Sequence, residues 1–143
     1  MSEVVEGIIA ELDTFEPTDD AIDNEERLQI LVDRWQEMPD HDDAIPAMLR
    51  VFERNPEATN LGEPGPLVHA IEEAPGYEQA LAASLDQAPS YYAVWMINRI
   101  LSSELPPDVR SAYIGILRQT ADNESAPWSV RATAKEFLGF QEG

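Results

Sequence analysis

Apolar residues recur along this chain at helical spacing nearly everywhere, and no stretch shows the period-two alternation of a half-buried strand. Val5, Ile8, Ile9 and Leu12 form a first helical stripe that ends near Phe15 and Pro17. Thr18 to Asn24 is polar and acidic, and reads as a loop or a frayed helix start. Leu28, Leu31, Val32, Trp35 and Met38 follow at i, i+3, i+4 and i+7, which lays one face of a second helix on the core before Pro39 stops it. Asp40 to Asp43 are expected to cap and charge the start of a third helix, where carboxylates favour the positive end of the dipole. Its buried side is Ile45, Met48, Leu49 and Phe52, and Pro46 sits early enough to be tolerated.

Asn55 to Gly65 gathers Pro56, Asn60, Gly62, Pro64 and Gly65, and reads as a loop dividing the chain. Pro66 opens a helix through Leu67, Val68 and Ile71, and after the Pro75-Gly76 turn Tyr77, Leu81, Ser84 and Leu85 mark the next. From Tyr91 to Leu101 apolar residues occupy nearly every side, which predicts a central helix covered on several faces. Val109, Ala112, Tyr113, Ile116 and Leu117 form another amphipathic helix after Pro106-Pro107. Trp128, Val130, Ala134, Phe137 and Leu138 form a last helix, capped near Ser125. The expected fold is all-α and single-domain over 1–143: about eight short antiparallel helices, stacked as HEAT-like hairpins because short connections make sequential helices neighbours.

Charge sharpens this picture. Residues 1–78 hold 21 Asp/Glu and 4 Arg, whereas 79–143 hold 7 acids and 5 bases, within a formal net charge of -19. Nucleic acid and anionic lipid are poor partners for such a surface. A salt-adapted or merely soluble protein would spread its acids over both halves, although eight Arg to one Lys fits that alternative. The skew toward the acidic N-terminal part, 1–55, favours a directional acidic face. The absence of cysteine removes disulfide scaffolds, thiolate nucleophiles and Cys-based zinc sites. The acidic N-terminus resembles no secretion signal and no apolar run reaches ~18 residues, so a location in the cytoplasm, off the membrane, is expected.

Little in the chain suggests catalysis. His41 and His69 are isolated; His69 precedes Glu72 by three residues on one helical face, a pair more simply read as structural than as a proton-transfer or metal site. Asp40-His41-Asp42-Asp43 and Asp19-Asp20 with Asp23 lack the glycine and terminal glutamate of a calcium loop. Gly62, Gly65 and Gly76 match no phosphate-binding pattern. Trp35, Trp95 and Trp128 lie within helical stripes and are assigned to core packing. Asn98-Arg99 puts two polar groups on the central helix, and a carboxylate from a neighbouring helix is expected to satisfy Arg99. No enzyme activity, metal or cofactor is expected.

Gly62-Glu63-Pro64-Gly65-Pro66-Leu67-Val68-His69, then Ile71-Glu72, Tyr77-Glu78, Leu81, Ser84 and Trp95-Met96-Ile97-Asn98-Arg99-Ile100-Leu101, resembles a group of small all-α immunity proteins of bacterial polymorphic toxin systems. Such proteins accompany toxins delivered by contact-dependent or type VI secretion and neutralise them by binding. The resemblance spans 62–101, within a family-like part extending over 62–140. It implies an antitoxin whose partner is a cognate protein toxin, with a basic nuclease suiting the acidic surface. The alternative is a HEAT-like adaptor that holds a peptide or protein in a groove, with no toxin involved. The expected contact residues are Asp19, Asp20, Asp23, Asp40, Asp42 and Asp43, with Glu72 and Glu73 as a second patch.

Overall fold

The computed structural model describes residues 2–39 and 41–142, without the side chains of His41 and Asp42. Among these residues eight α-helices form and no strand does: α1 (Glu3–Thr14), α2 (Ala21–Gln36), α3 (Ile45–Arg54), α4 (Pro66–Glu72), α5 (Tyr77–Gln87), α6 (Tyr91–Leu101), α7 (Pro107–Asp122) and α8 (Trp128–Glu142). Side-chain caps begin α1, α2 and α6: Ser2 accepts from Val5 N–H, Asp20 from Asp23 N–H, and Ser90 from Ala93 N–H. Proline in the first helical turn pre-sets the backbone of α3, α4 and α7. The Thr18–Asn24 segment divides, since Asp20 caps α2 and the helix starts at Ala21. The third helix departs from expectation: a single 3-10 turn occupies His41–Ala44, and Ala44 begins α3 without a side-chain cap. Asp40 lies outside the described residues.

The helices pair as α1/α2, α3/α4, α5/α6 and α7/α8. The odd-numbered helices then touch in succession, α1 on α3, α3 on α5 and α5 on α7. On the other layer α2 packs on α4 and α6 on α8, with α3 also meeting α6 where the seven-residue α4 is short. This is the stacked-hairpin arrangement, and it sorts the connections. Turns within hairpins (residues 15–20, 55–65, 88–90 and 123–127) gather on one edge. There Asn60 bonds Thr18, Tyr91 N–H donates to Pro56 O, and Ser129 donates to Glu57. Connections between hairpins (37–39 with 41–44, 73–76, 102–106) form the opposite edge, where Gln36 reaches Glu73.

One apolar cluster runs from Ile8 to Ala134 through all eight helices. The central position of α6 is borne out: Tyr92, Ala93, Val94, Met96, Ile97 and Leu101 are buried, and α3, α5, α7 and α8 surround them. Trp35 is 1% exposed, as expected of a core residue, but Trp128 is 76% exposed. At 100° per residue Trp128 projects some 160° from Val130 and 120° from Ala134, the buried residues of α8, so the core stripe never included it.

The breaker-rich segment turns out to be a clamp, not a divider. The Tyr92 hydroxyl accepts from Leu61 N–H and donates to Gly62 O, both at 2.8 Å. Burial pushes Tyr92 up to about 12, and the Glu63 and Glu25 carboxylates add to the rise. Tyr77 is likewise pushed up to about 12, by burial and then by Glu72 and Glu78. A tyrosine held neutral in the folded chain but ionised near pH 10 once unfolded stabilises the fold fully below about pH 10 and ceases to do so as pH rises through about 12. Urea midpoints measured across this range should therefore fall with pH, and Tyr92→Phe should flatten the fall; an unchanged slope would show that Tyr92 is not held neutral.

Candidate partner-binding surface

The four arginines of the acidic half are all engaged internally. Arg34 pairs with Glu11 at 2.7 Å and Arg50 with Asp13 at 2.8 Å, the latter holding the Asp13 carboxyl below its ordinary range. Arg54 donates to the carbonyls of Leu12 and Phe15, which closes the C-terminus of α1. Arg27 bonds Asp23 at 3.0 Å, donates to Glu16 O and Asn24, and lies 4.6 Å over the Phe15 ring. Fastening α1 to α2 and α3 therefore takes up this half's cations. Asp19, Glu25, Glu26, Glu37, Asp43 and Glu63 have no ion-pair partner among the described residues.

Asn24 organises the edge on which several of these acids stand. It is fully buried. Its Oδ1 accepts from Thr18 N–H at 2.8 Å and from Arg27 at 3.0 Å; its Nδ2 donates to Thr18 O at 2.8 Å and to Asn60 O at 3.3 Å. Asn60 donates back to Thr18 O at 2.8 Å. The 15–20 turn is thereby tied to α2 and to the 55–65 clamp. Asp19 and Asp20 are exposed on that turn, and Glu25 and Glu63 both lie within electrostatic reach of the Tyr92 hydroxyl.

The expected contact residues separate into two groups. Asp19, Asp20 and Asp23 share the edge of the intra-hairpin turns, although Asp20 caps α2 and Asp23 pairs with Arg27. Asp43 and Glu73 are exposed on the opposite edge, beyond the other end of α2, a helix about 24 Å long. Asp42's side chain and Asp40 lie outside the described residues. Glu72 is no free acid, because both its oxygens accept from Arg99, at 2.8 and 2.9 Å. This is the carboxylate partner expected for Arg99, and Gln141 likewise donates to Asn98 across α6 and α8. With Glu72 so occupied, His69 stands exposed and unpaired with it. No group of three or more metal-ligating side chains occurs among the described residues.

Two further features escaped the sequence reading. Ile22 and Ile30 are 71% and 59% exposed on the outer side of α2. With Glu26 and Asp33 they make a stripe of alternating apolar and acidic residues that joins the two edges. Ile30 also lines a groove of about 340 Å³ with Phe15 and Leu31 between α1 and α2. Their eight-residue spacing, off the Leu28–Leu31–Val32–Trp35 stripe, was the available signal.

No family model, curated protein or solved structure matches this chain. No described helix is long and apolar enough to cross a membrane.

Proposed function

We propose that the chain is an immunity protein that holds a positively charged protein toxin against the outer side of α2 and the adjoining Asp19–Glu63 edge. The observation that carries this reading is the internal engagement of every arginine in the acidic half, which leaves a fastened edge of uncompensated carboxylates beside exposed Ile22 and Ile30. Acids of this kind speed encounter with a basic surface and exclude like-charged partners, while desolvated apolar side chains slow dissociation. The resemblance over 62–101 supplies the toxin; its Gly65-Pro66 and Asn98-Arg99 residues serve the scaffold, leaving recognition to the acidic part. Such a protein would act in the cytoplasm, without catalysis or cofactor. The adaptor alternative draws support from the stacked hairpins and the α1–α2 groove.

Co-expression with the product of the adjacent reading frame is the test. Growth rescue and copurification are the expected results, and copurification without any toxicity to relieve would favour the adaptor. In the purified pair, combined Asp19→Lys, Glu26→Lys and Glu63→Lys should slow association about tenfold at low salt and flatten its salt dependence. At physiological salt Glu6→Lys, on α1 toward the opposite edge, should change association far less than the triple variant does; unaltered kinetics in the triple variant would exclude the edge.

A further inference from the structure

A second surface feature lies on the other edge, away from the Asp19–Glu63 carboxylates. It is a cleft of about 640 Å³ between the end of α4, the start of α5, the end of α6 and the start of α7. Tyr77 on α5 and Tyr113 on α7 line it as half-buried rings, with Glu78 next to Tyr77 on α5 and within electrostatic reach of Tyr113, and Leu105 on the α6–α7 connection. Arg99 also lines it, but Glu72 holds that guanidinium through two parallel bonds, so the pair adds no net charge. Glu78 therefore leaves the lining negative. The C-terminal end of α6 meets the cleft at Ser102 and Ser103, whose hydroxyls donate to Asn98 O and Ile100 O while Arg110 closes Leu101 O, so the charge of the cleft rests on Glu78.

We propose that this cleft is a socket for an arginine side chain of the bound protein, with the guanidinium stacked on Tyr77 and Tyr113 and its charge met by Glu78. The proposal rests on the reading of the chain as a protein-binding module and adds a second contact to it. Glu73, next in the chain to the lining residue Glu72, accepts from Gln36 at the end of α2, which links the rim of the socket to that helix. Arginine suits it better than lysine. A planar guanidinium stacks on an aromatic face while its edge donates several hydrogen bonds, whereas an ammonium is a strongly hydrated point charge. Both tyrosines are neutral phenols at physiological pH, as any tyrosine is, and offer aromatic faces to the cleft. The Glu72–Arg99 pair fixes the wall before anything binds, which reduces the ordering needed on association.

The probe is N-acetyl-arginine methylamide, titrated into the isotopically labelled full chain and followed by its amide NMR spectrum. Saturable shifts concentrated at Tyr77, Glu78, Ser102, Ser103 and Tyr113 are expected, with none from the neutral citrulline analogue. Glu78→Gln should weaken the binding about tenfold. Tyr113→Leu, which removes a stacking face and keeps the charge, makes the same test if Glu78→Gln disturbs folding. Equal shifts from citrulline, or shifts no larger in the cleft than around Asp19, Glu26 and Glu63, would overturn the socket. Neither result bears on copurification with the adjacent gene product, so the two readings fail separately.

Discussion

Gly65→Ala is expected to lower the thermal midpoint by about 10 °C, corresponding to roughly 3 kcal/mol or more in a chain of this size. Gly65 sits at φ 91 and ψ 171, a region that side-chain-bearing residues essentially never occupy. A Cβ there would stand 2.2 Å from Leu61 O and 2.8 Å from the Gly62 Cα. Both obstacles are backbone, and neither can swing aside. Leu61 N–H and Gly62 O are the two groups held by the Tyr92 hydroxyl, so relief of the clash would pull the clamp off the central helix. Gly76→Ala is the comparison. It too has positive φ, at 73, but in the left-handed region and with nothing within 4 Å of an added Cβ, so only about 1 kcal/mol is expected. Equal losses in the two variants would mean that the close approach of 61–65 to itself contributes nothing.

The helices were legible because each turns one apolar stripe inward, and the stripes of α1, α2, α3 and α6 need only local spacing to be recognised. Trp128 shows the limit of counting apolar residues without assigning them an angle, since its own position in α8 places it away from Val130. The acidic skew was legible as composition but not as geometry. Asp19, Asp20 and Asp23 were visible as a group; Glu63 joins their edge only because Asn24 and Asn60, 36 residues apart, bond across the 15–20 and 55–65 turns. Arg99 raised a need for a carboxylate and Glu72 offered one, yet spacing along the chain could not show that each answered the other.

The division of the acids between two edges follows from the hairpin stack itself. Turns within hairpins and connections between them lie on opposite sides, and both kinds carry acids in this chain. The expected contact residues, a main acidic group with Glu72 and Glu73 as a second patch, therefore fall toward the two ends of α2, with Asp43 parted from Asp19. At physiological salt the Debye length is about 8 Å, so patches separated by about 24 Å act on a partner almost independently. A partner touching both needs a contact some 28 Å across, which is the breadth of a standard interface of about 800 Å² on each side. That breadth spans the two ends of α2, from the Asp19–Glu63 edge to Asp43 and Glu73.

The Asp19–Glu63 edge depends on Asn24, and Asn24→Leu is expected to destabilise the chain by about 3 kcal/mol while loosening the edge before the molecule unfolds. Leucine preserves volume, so the loss is one of hydrogen bonding and not of packing. Thr18 N–H would lose its acceptor and Asn60 O its donor, and each of these part-buried bonds contributes about 1–1.5 kcal/mol. Arg27 would lose one of its three polar contacts and keep Asp23 and Glu16 O, so the salt bridge survives. The local consequence is measurable by hydrogen exchange. The amides of Thr18 and Asp20 should exchange faster in Asn24→Leu, while those of α6 and α7 should change only in step with global stability. A partner that reads Asp19 in a fixed position should then associate more slowly with this variant, even where all of it is folded. Uniform acceleration of exchange across the chain would instead make Asn24 an ordinary core residue, and would detach the order of this edge from recognition.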